Sequence, residues 1–160
     1  MRIVLLFTLL FFVHVLLHAQ TLTGKVVKIA DGDTFTILLN NHQKKRIRLH
    51  GVDCPEKGQD FGNVAKEYIS NLIAGKSVTI LTTKKDRYGR TVAIVKVDTT
   101  NVNESLLRAG LAWHYKQYDN TQHWAELEHQ AKSHHRKIWS MQNPTPPWQW
   151  RKQKKASKNS

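Results

Sequence analysis

The period of apolar positions changes several times along the chain, and each change marks an element. Leu22 to Ala30 is rich in Val and Ile with Thr and Lys between them. Phe35, Ile37 and Leu39 then alternate with polar residues, Asn40-Asn41-His42 makes a polar turn, and a second apolar run follows with Arg48 inside it. These read as a strand over Leu22–Ala30 and a hairpin of strands Thr34–Leu39 and Lys45–Val52. Val64, Tyr68 and Leu72, with Ala65, Ile69 and Ile73 beside them, recur at helical spacing and stop at Gly75, a glycine C-cap. Ser77–Thr83 and Thr91–Val97 are two further β-branched runs. Asn101–Ala109 reads as a short helix ended by Gly110, with Glu104 and Arg108 at the spacing of a helical ion pair. Trp124, Leu127, Ala131, His134 and Ile138 fall on one stripe of a third helix running to about Trp139. Three strands, a helix, two strands and further helices predict an α+β fold: a small closed β-barrel of five strands with three helices.

The ends follow other rules. Met1-Arg2 precedes an almost wholly apolar run from Ile3 to Leu17, and Ala19 is a small residue before a cut. Residues 1–19 are therefore read as a signal peptide, too short in its apolar core for a comfortable membrane span. That leaves one domain, 20–141, and a tail, 142–160, opened by Pro144, Pro146 and Pro147. No acidic residue follows Glu128, and the tail carries Trp148, Trp150, Arg151, Lys152, Lys154 and Lys155. Two readings of the tail stand: tryptophans stacking on bases while the cations hold phosphates, or tryptophans folded back on the barrel with the lysines solvated.

Charge narrows the partners. The chain holds 25 Lys and Arg against 12 Asp and Glu, a net charge of +13, which favours polyanions: nucleic acid, an anionic membrane surface or an acidic polysaccharide. Cys54 is the single cysteine, so no intrachain disulfide forms, and no His or Asn pattern beside it marks a nucleophile.

Candidate chemistry gathers between Asp31 and Glu56. If the second and third strands pair antiparallel, Asp33 before one and Asp53 after the other meet at the same end of the hairpin. Paired carboxylates repel unless a cation separates them, and oxygen donors suit a hard ion such as Ca²⁺ or Mg²⁺. Hydrolysis of a phosphodiester needs an activated water and cations for the phosphoryl oxygens. Asp33 and Asp53 would hold the metal, Glu56 would orient or deprotonate the water, and Arg48 and Arg90 would clamp the phosphate with forked donors.

Several spaced motifs share this pattern: Asp31-Gly32-Asp33-Thr34, Ile47-Arg48-Leu49 to Val52-Asp53-Cys54-Pro55-Glu56, Asp86-Arg87-Tyr88-Gly89-Arg90, and Val102-Asn103-Glu104 to Arg108-Ala109-Gly110-Leu111-Ala112. Together, over about Leu22 to Trp139, they resemble the staphylococcal nuclease (thermonuclease-like) family. The resemblance implies an OB-fold barrel with three helices and Ca²⁺-dependent hydrolysis of DNA and RNA that leaves 3'-phosphate ends. It implies metal ligation by Asp33, Asp53 and the backbone carbonyl of Cys54, catalytic roles for Arg48, Glu56 and Arg90, a supporting place behind the ligands for Asp31, and a nucleotide contact at Tyr88. The family's aromatic contact after Leu111 falls on Tyr115 or Tyr118. Cys54 stands where the prototype has threonine, the loop after Glu56 is shorter, and the basic tail lies beyond the match. The expectation is a monomeric, sugar-nonspecific nuclease, secreted or periplasmic, free of the membrane after signal cleavage.

Two rivals are set against it. A barrel that binds nucleic acid without cutting would be free to lose Glu56 or an arginine, and this chain keeps them all. A zinc protein is suggested by His114, His123, His129, His134 and His135, but their spacing matches no common zinc pattern.

Overall fold

The computed structural model describes residues 21–158, so the expected signal peptide lies outside the described residues. The strands are β1 (Thr21–Ile29), β2 (Thr34–Leu38), β3 (Lys44–Leu49), β4 (Val52–Asp53), β5 (Ser77–Lys85), β6 (Thr91–Val97), β7 (Thr100–Asn101) and β8 (Trp113–His114). The helices are α1 (Gly62–Ile73), α2 (Val102–Ala109), α3 (Gln122–Ser133) and α4 (Pro147–Ala156), with a 3-10 turn over Lys137–Ser140.

β3, β2, β1, β5 and β6 pair in that order, and β3 returns to β6 in parallel register, which closes a five-stranded barrel. Closure removes the sheet edges and leaves one interior to fill. Phe35, Ile37, Ile47, Leu49, Ile80 and Val95 fill it, and Ile69, Ile73, Leu106 and Leu107 from the helices complete the core. The α+β barrel is thus as the apolar pattern predicts, with α4 as a helix beyond the expected three.

Three local expectations differ. The third strand does not run unbroken to Val52: it ends at Leu49, turns through Gly51 at φ +63°, and β4 leaves the barrel to pair with β8. A Cβ on Gly51 would lie 2.6 Å from Trp124, so the turn needs glycine for both conformation and space. Glu104 does not pair with Arg108. Its Oε1 accepts from Asn101 Nδ2 (2.9 Å) and Trp124 Nε1 (3.2 Å), while the Asn101 side chain caps α2. The third helix stops at Ser133, so His134 is exposed rather than on the apolar stripe, and Ile138 is buried from the 3-10 turn instead.

Asp119 ties these outer pieces together. It accepts from Thr121 N (2.9 Å) and faces His114 Nε2 (2.9 Å) and His50 Nε2 (3.1 Å). Burial alone would raise its carboxyl, but the Thr121 amide and His114 hold it below the usual carboxylate range. Because the folded value is depressed, its stabilisation is complete above the unfolded value and disappears as pH falls through the folded one. Asp119→Asn is therefore expected to cost ~1–3 kcal/mol near neutral pH, with the gap closing below about pH 4. Urea unfolding at pH 7 and pH 3 checks this, and a gap equal at both values would remove the charge from the account.

Candidate active site

The site is assembled where β2, β3 and β4 end together. The β2–β3 register sets Thr34 opposite Arg48, and Leu49 N donates to Asp33 O (2.9 Å), so Arg48 emerges beside Asp33. β4 then brings Asp53 back to the same place through its pairing with Trp113. Arg48 reaches both carboxylates: one terminal nitrogen pairs with Asp33 Oδ2 and the other lies 2.7 Å from Asp53 Oδ1. Asp33 and Asp53 thus meet within the span of one guanidinium fork, with Asp53 brought there by the Gly51 turn and the β4–β8 pairing rather than by a strand continuous to Val52.

The acidic turn is held tightly. Asp31 Oδ1 accepts from Asp33 N (3.1 Å), and Asp33 Oδ2 accepts from Cys54 N (2.8 Å). A Cβ on Gly32 would stand 2.8 Å from both Ala65 and Cys54, so glycine lets the turn lie against α1 and the β4 loop. Glu56 follows on that loop, its amide donating to Gln59 Oε1 (3.0 Å) and its carbonyl in close contact with Gly62. Arg90 enters from the β5–β6 turn, where its Nε donates to Asp86 Oδ2 (2.7 Å) and one terminal nitrogen lies 3.5 Å from Thr34 Oγ1.

Crowding these carboxyls shifts their protons. Burial first, and then the neighbouring charge of Asp33, pushes Asp31 up to about 7. Burial works on Asp33 too, but the Arg48 guanidinium and the Cys54 amide hold it below the usual range. Asp53 is raised, chiefly by burial, against a hydrogen bond from Arg151. Burial thus works against charge on all three carboxyls, an arrangement in which each added positive charge favours the ionised forms.

Among the described residues no three His, Cys, Asp or Glu side chains are arranged to hold an ion, and Asp33 and Asp53 stand side by side on the two arms of the Arg48 fork. Both are oxygen donors, which fits a hard cation that keeps several waters. The Cys54 thiol does not: it is buried and pushed well up, and its place beside Asp33 is made by its amide. The histidines do not gather either, since His114 faces Asp119, His123 lies 3.7 Å from Glu104, and His134 contacts Gln130 O.

Asp31, Asp33, Arg48, Glu56 and Arg90 line one cleft of about 1040 Å³, and Asp53 is bonded to two of its lining residues, Arg48 and Arg151. Tyr88 is on its rim, 69% exposed, with the Arg87 and Arg90 guanidinium groups 4.9 and 5.5 Å from its ring centre. Tyr115 and Tyr118 both line it, packed edge to face at 4.8 Å, so the cleft takes both of the residues between which the sequence left the choice open.

One residue of this site is not visible in the motifs. Arg151, from the basic tail, reaches Asp53 Oδ2 (2.9 Å) and Glu56 Oε1 (2.6 Å). The only sequence signal was compositional, a run of cations after Pro147-Trp148, and composition does not say where a helix docks.

A closed five-stranded barrel bearing paired aspartates, a glutamate and converging guanidinium groups in one basic cleft defines a protein built to meet phosphate esters. Residues 46–141 match the model of the family described as staphylococcal nuclease homologue, and the chain belongs to that family. It is 41% identical over 132 residues to an "Uncharacterized endonuclease" of Escherichia coli O157:H7, covering 82% of this chain and 86% of that one. A "Micrococcal nuclease" of Shigella flexneri is 36% identical over 148 residues, 86% of this chain and 83% of that one. An "Uncharacterized endonuclease" of Haemophilus influenzae (strain ATCC 51907 / DSM 11121 / KW20 / Rd) is 38% identical over 135 residues, 84% and 76% respectively.

Proposed function

We propose that the chain is a Ca²⁺-dependent nuclease that hydrolyses phosphodiester bonds of DNA and RNA, leaves 3'-phosphate ends, and acts outside the cytoplasm. Nuclease activity rests on the family and on the names of its relatives. The observation that carries the mechanism is the convergence of Asp33, Asp53, Glu56, Arg48 and Arg90 from separate segments on one cleft. Export rests on the signal-like residues 1–19.

Asp33 and Asp53, with the backbone carbonyl of Cys54, would hold Ca²⁺. When bound, the ion offsets charge on a phosphoryl oxygen and makes a ligated water more acidic. Glu56, partly exposed at the mouth of the cleft, takes a proton from the attacking water. Arg90 is aimed by its Nε bond to Asp86, which leaves its terminal nitrogens to meet the phosphate oxygens as charge builds on them. Arg48 bridges the two aspartates with its fork at the cleft, fixing the carboxylates and adding positive charge at the phosphorus. Cleavage of the P–O5' bond leaves the phosphate on the 3' side, and the departing 5' oxygen is protonated from solvent.

Two experiments test this reading. Digestion of single-stranded DNA and of RNA by the mature protein should require Ca²⁺, stop with a chelator, and yield ends that a 3'-phosphatase makes extendable by a polymerase. Tight binding with no cutting at any Ca²⁺ concentration would make the chain a binding barrel instead. Arg90→Lys keeps the charge but loses the fork, and is expected to lower kcat/KM by ~10²–10³ at unchanged melting temperature. Near-normal turnover in that variant would take Arg90 out of the mechanism.

A further inference from the structure

The tail is not a loose appendage. Pro147 is buried, Trp148 stacks on Tyr115 with ring centres 5.1 Å apart and planes at 6°, and it meets Trp113 edge-on at 6.5 Å. Gln59 Nε2, from the loop that carries Glu56, donates to Thr145 O at 2.6 Å. These contacts dock α4 against the cleft and decide how its cations point. Arg151 lies on Asp53 and Glu56 with 42% of its side chain open, and its neighbour Lys152 and, one helical turn along, Lys155 line the same cleft. Lys84 and Lys85 line it from the end of β5 and Arg87 from the turn that follows, with Lys84 4.7 Å from the centre of the Tyr118 ring.

The lining of the cleft therefore combines the carboxylates Asp31, Asp33 and Glu56 with cations from two separate segments and with Tyr88, Tyr115 and Tyr118. A phosphodiester strand needs cations along its backbone and aromatic faces for its bases, whereas an acidic peptide brings no bases for the tyrosines to meet. We propose that α4 is the second wall of a groove for single-stranded nucleic acid, with Arg151, Lys152 and Lys155 contacting neighbouring phosphates and Arg151 positioning the phosphate that lies over Asp53 and Glu56. Trp148 serves this wall as its anchor, because its face is already spent on Tyr115, so the strand is gripped through charge on this side. The inference rests on the cleft being the substrate groove proposed above.

The test is binding of a short fluorescein-labelled oligothymidylate to the full chain in a chelator, read by anisotropy from about 50 to about 200 mM salt. Three proteins are compared: the natural chain, Arg151→Gln/Lys152→Gln/Lys155→Gln, and a control of equal charge, Lys66→Gln/Lys76→Gln/Lys96→Gln. The control residues are exposed and none lines the cleft. Each phosphate contact on a single strand contributes about 0.7 to the salt slope, so the α4 variant should lose about 1 to 2 from it and bind at least about tenfold more weakly at low salt. The control should keep its slope. Equal losses in both variants would mean that net charge alone attracts the strand, and no loss in the α4 variant would mean that the strand passes elsewhere; either overturns the proposal. Because binding is measured without hydrolysis, a chain that binds as expected yet never cuts with Ca²⁺ fails the nuclease reading and not this one.

Discussion

Turnover of single-stranded DNA is expected to fall by ~10²–10⁴ when Glu56 is replaced by glutamine, with no change in melting temperature beyond about a degree. The two halves of that expectation have separate causes. Glutamine cannot take a proton from water at neutral pH, so the loss measures what the carboxylate does for the attacking oxygen. Stability should hold because the loop is fixed by its backbone: Glu56 N meets Gln59 Oε1, Gln59 N donates to Glu56 O at 3.0 Å, and Gly62 packs on the same carbonyl. The glutamine side chain still offers Arg151 an oxygen, so the α4 contact at this position survives in weakened form. The decisive measurement is kcat at saturating substrate beside thermal unfolding. Turnover within tenfold of the natural chain would leave Glu56 an orienting group at most and put the base elsewhere.

Arg48→Gln should show the largest effect on the fold. The Arg48 side chain is 13% exposed, and its fork bridges the Asp33 and Asp53 carboxylates, which are 9% and 1% exposed. Removing it leaves the buried Asp33 carboxylate without a guanidinium partner while Asp53 keeps Arg151, a loss of ~3–5 kcal/mol at neutral pH in the presence of a chelator. The pH dependence follows from Asp33. Burial alone would raise it, but Arg48 and the Cys54 amide depress it below the usual range, so its stabilisation is complete above the unfolded value near 4 and is lost as pH falls through the folded one. The gap between variant and natural chain should therefore narrow at pH 3. Added Ca²⁺ should recover part of it at pH 7, since binding to the folded state alone stabilises that state. Urea unfolding under these three conditions checks the argument. Coincident curves at pH 7 in chelator would show that the guanidinium is not what keeps the aspartates together.

Much of this site was legible before the fold was known. Alternation at Phe35 and Ile37 fixed which face of the hairpin is buried, and a hairpin with a buried face has little freedom of register. Once Thr34 faces Arg48, Asp33 lies beside the end of the next strand at Leu49, and Asp53 joins it because the Gly51 turn sends β4 to pair with β8. Asn101 and Gly110 likewise mark the ends of α2 because capping is a local interaction. Reading failed where an outcome depended on distant partners. His134 continued the apolar stripe on paper, but α3 ends one residue before it, and Ile138 is buried only because the chain turns back over Gly110, where Ile138 N donates to Gly110 O at 3.2 Å. Glu104 was spaced to meet Arg108 and instead takes the indole of Trp124, since a partly buried acceptor gains more from a fixed donor than from a mobile surface cation.

The amino-acid sequence by itself determined the barrel, the hairpin that sets Thr34 against Arg48, and the residue types for phosphate chemistry, because each rests on short-range periodicity, turn chemistry or hairpin geometry. Only the tertiary structure decided that β4 leaves the barrel for β8, that Asp119 joins His50 to His114, and that α4 delivers Arg151 to Asp53 and Glu56 across a sequence separation of more than ninety residues. The physical reason is the same in each case. Docking by aromatic faces such as Trp148 on Tyr115 depends on shape and burial, which carry no period along the chain, so the contact exists only once both surfaces do.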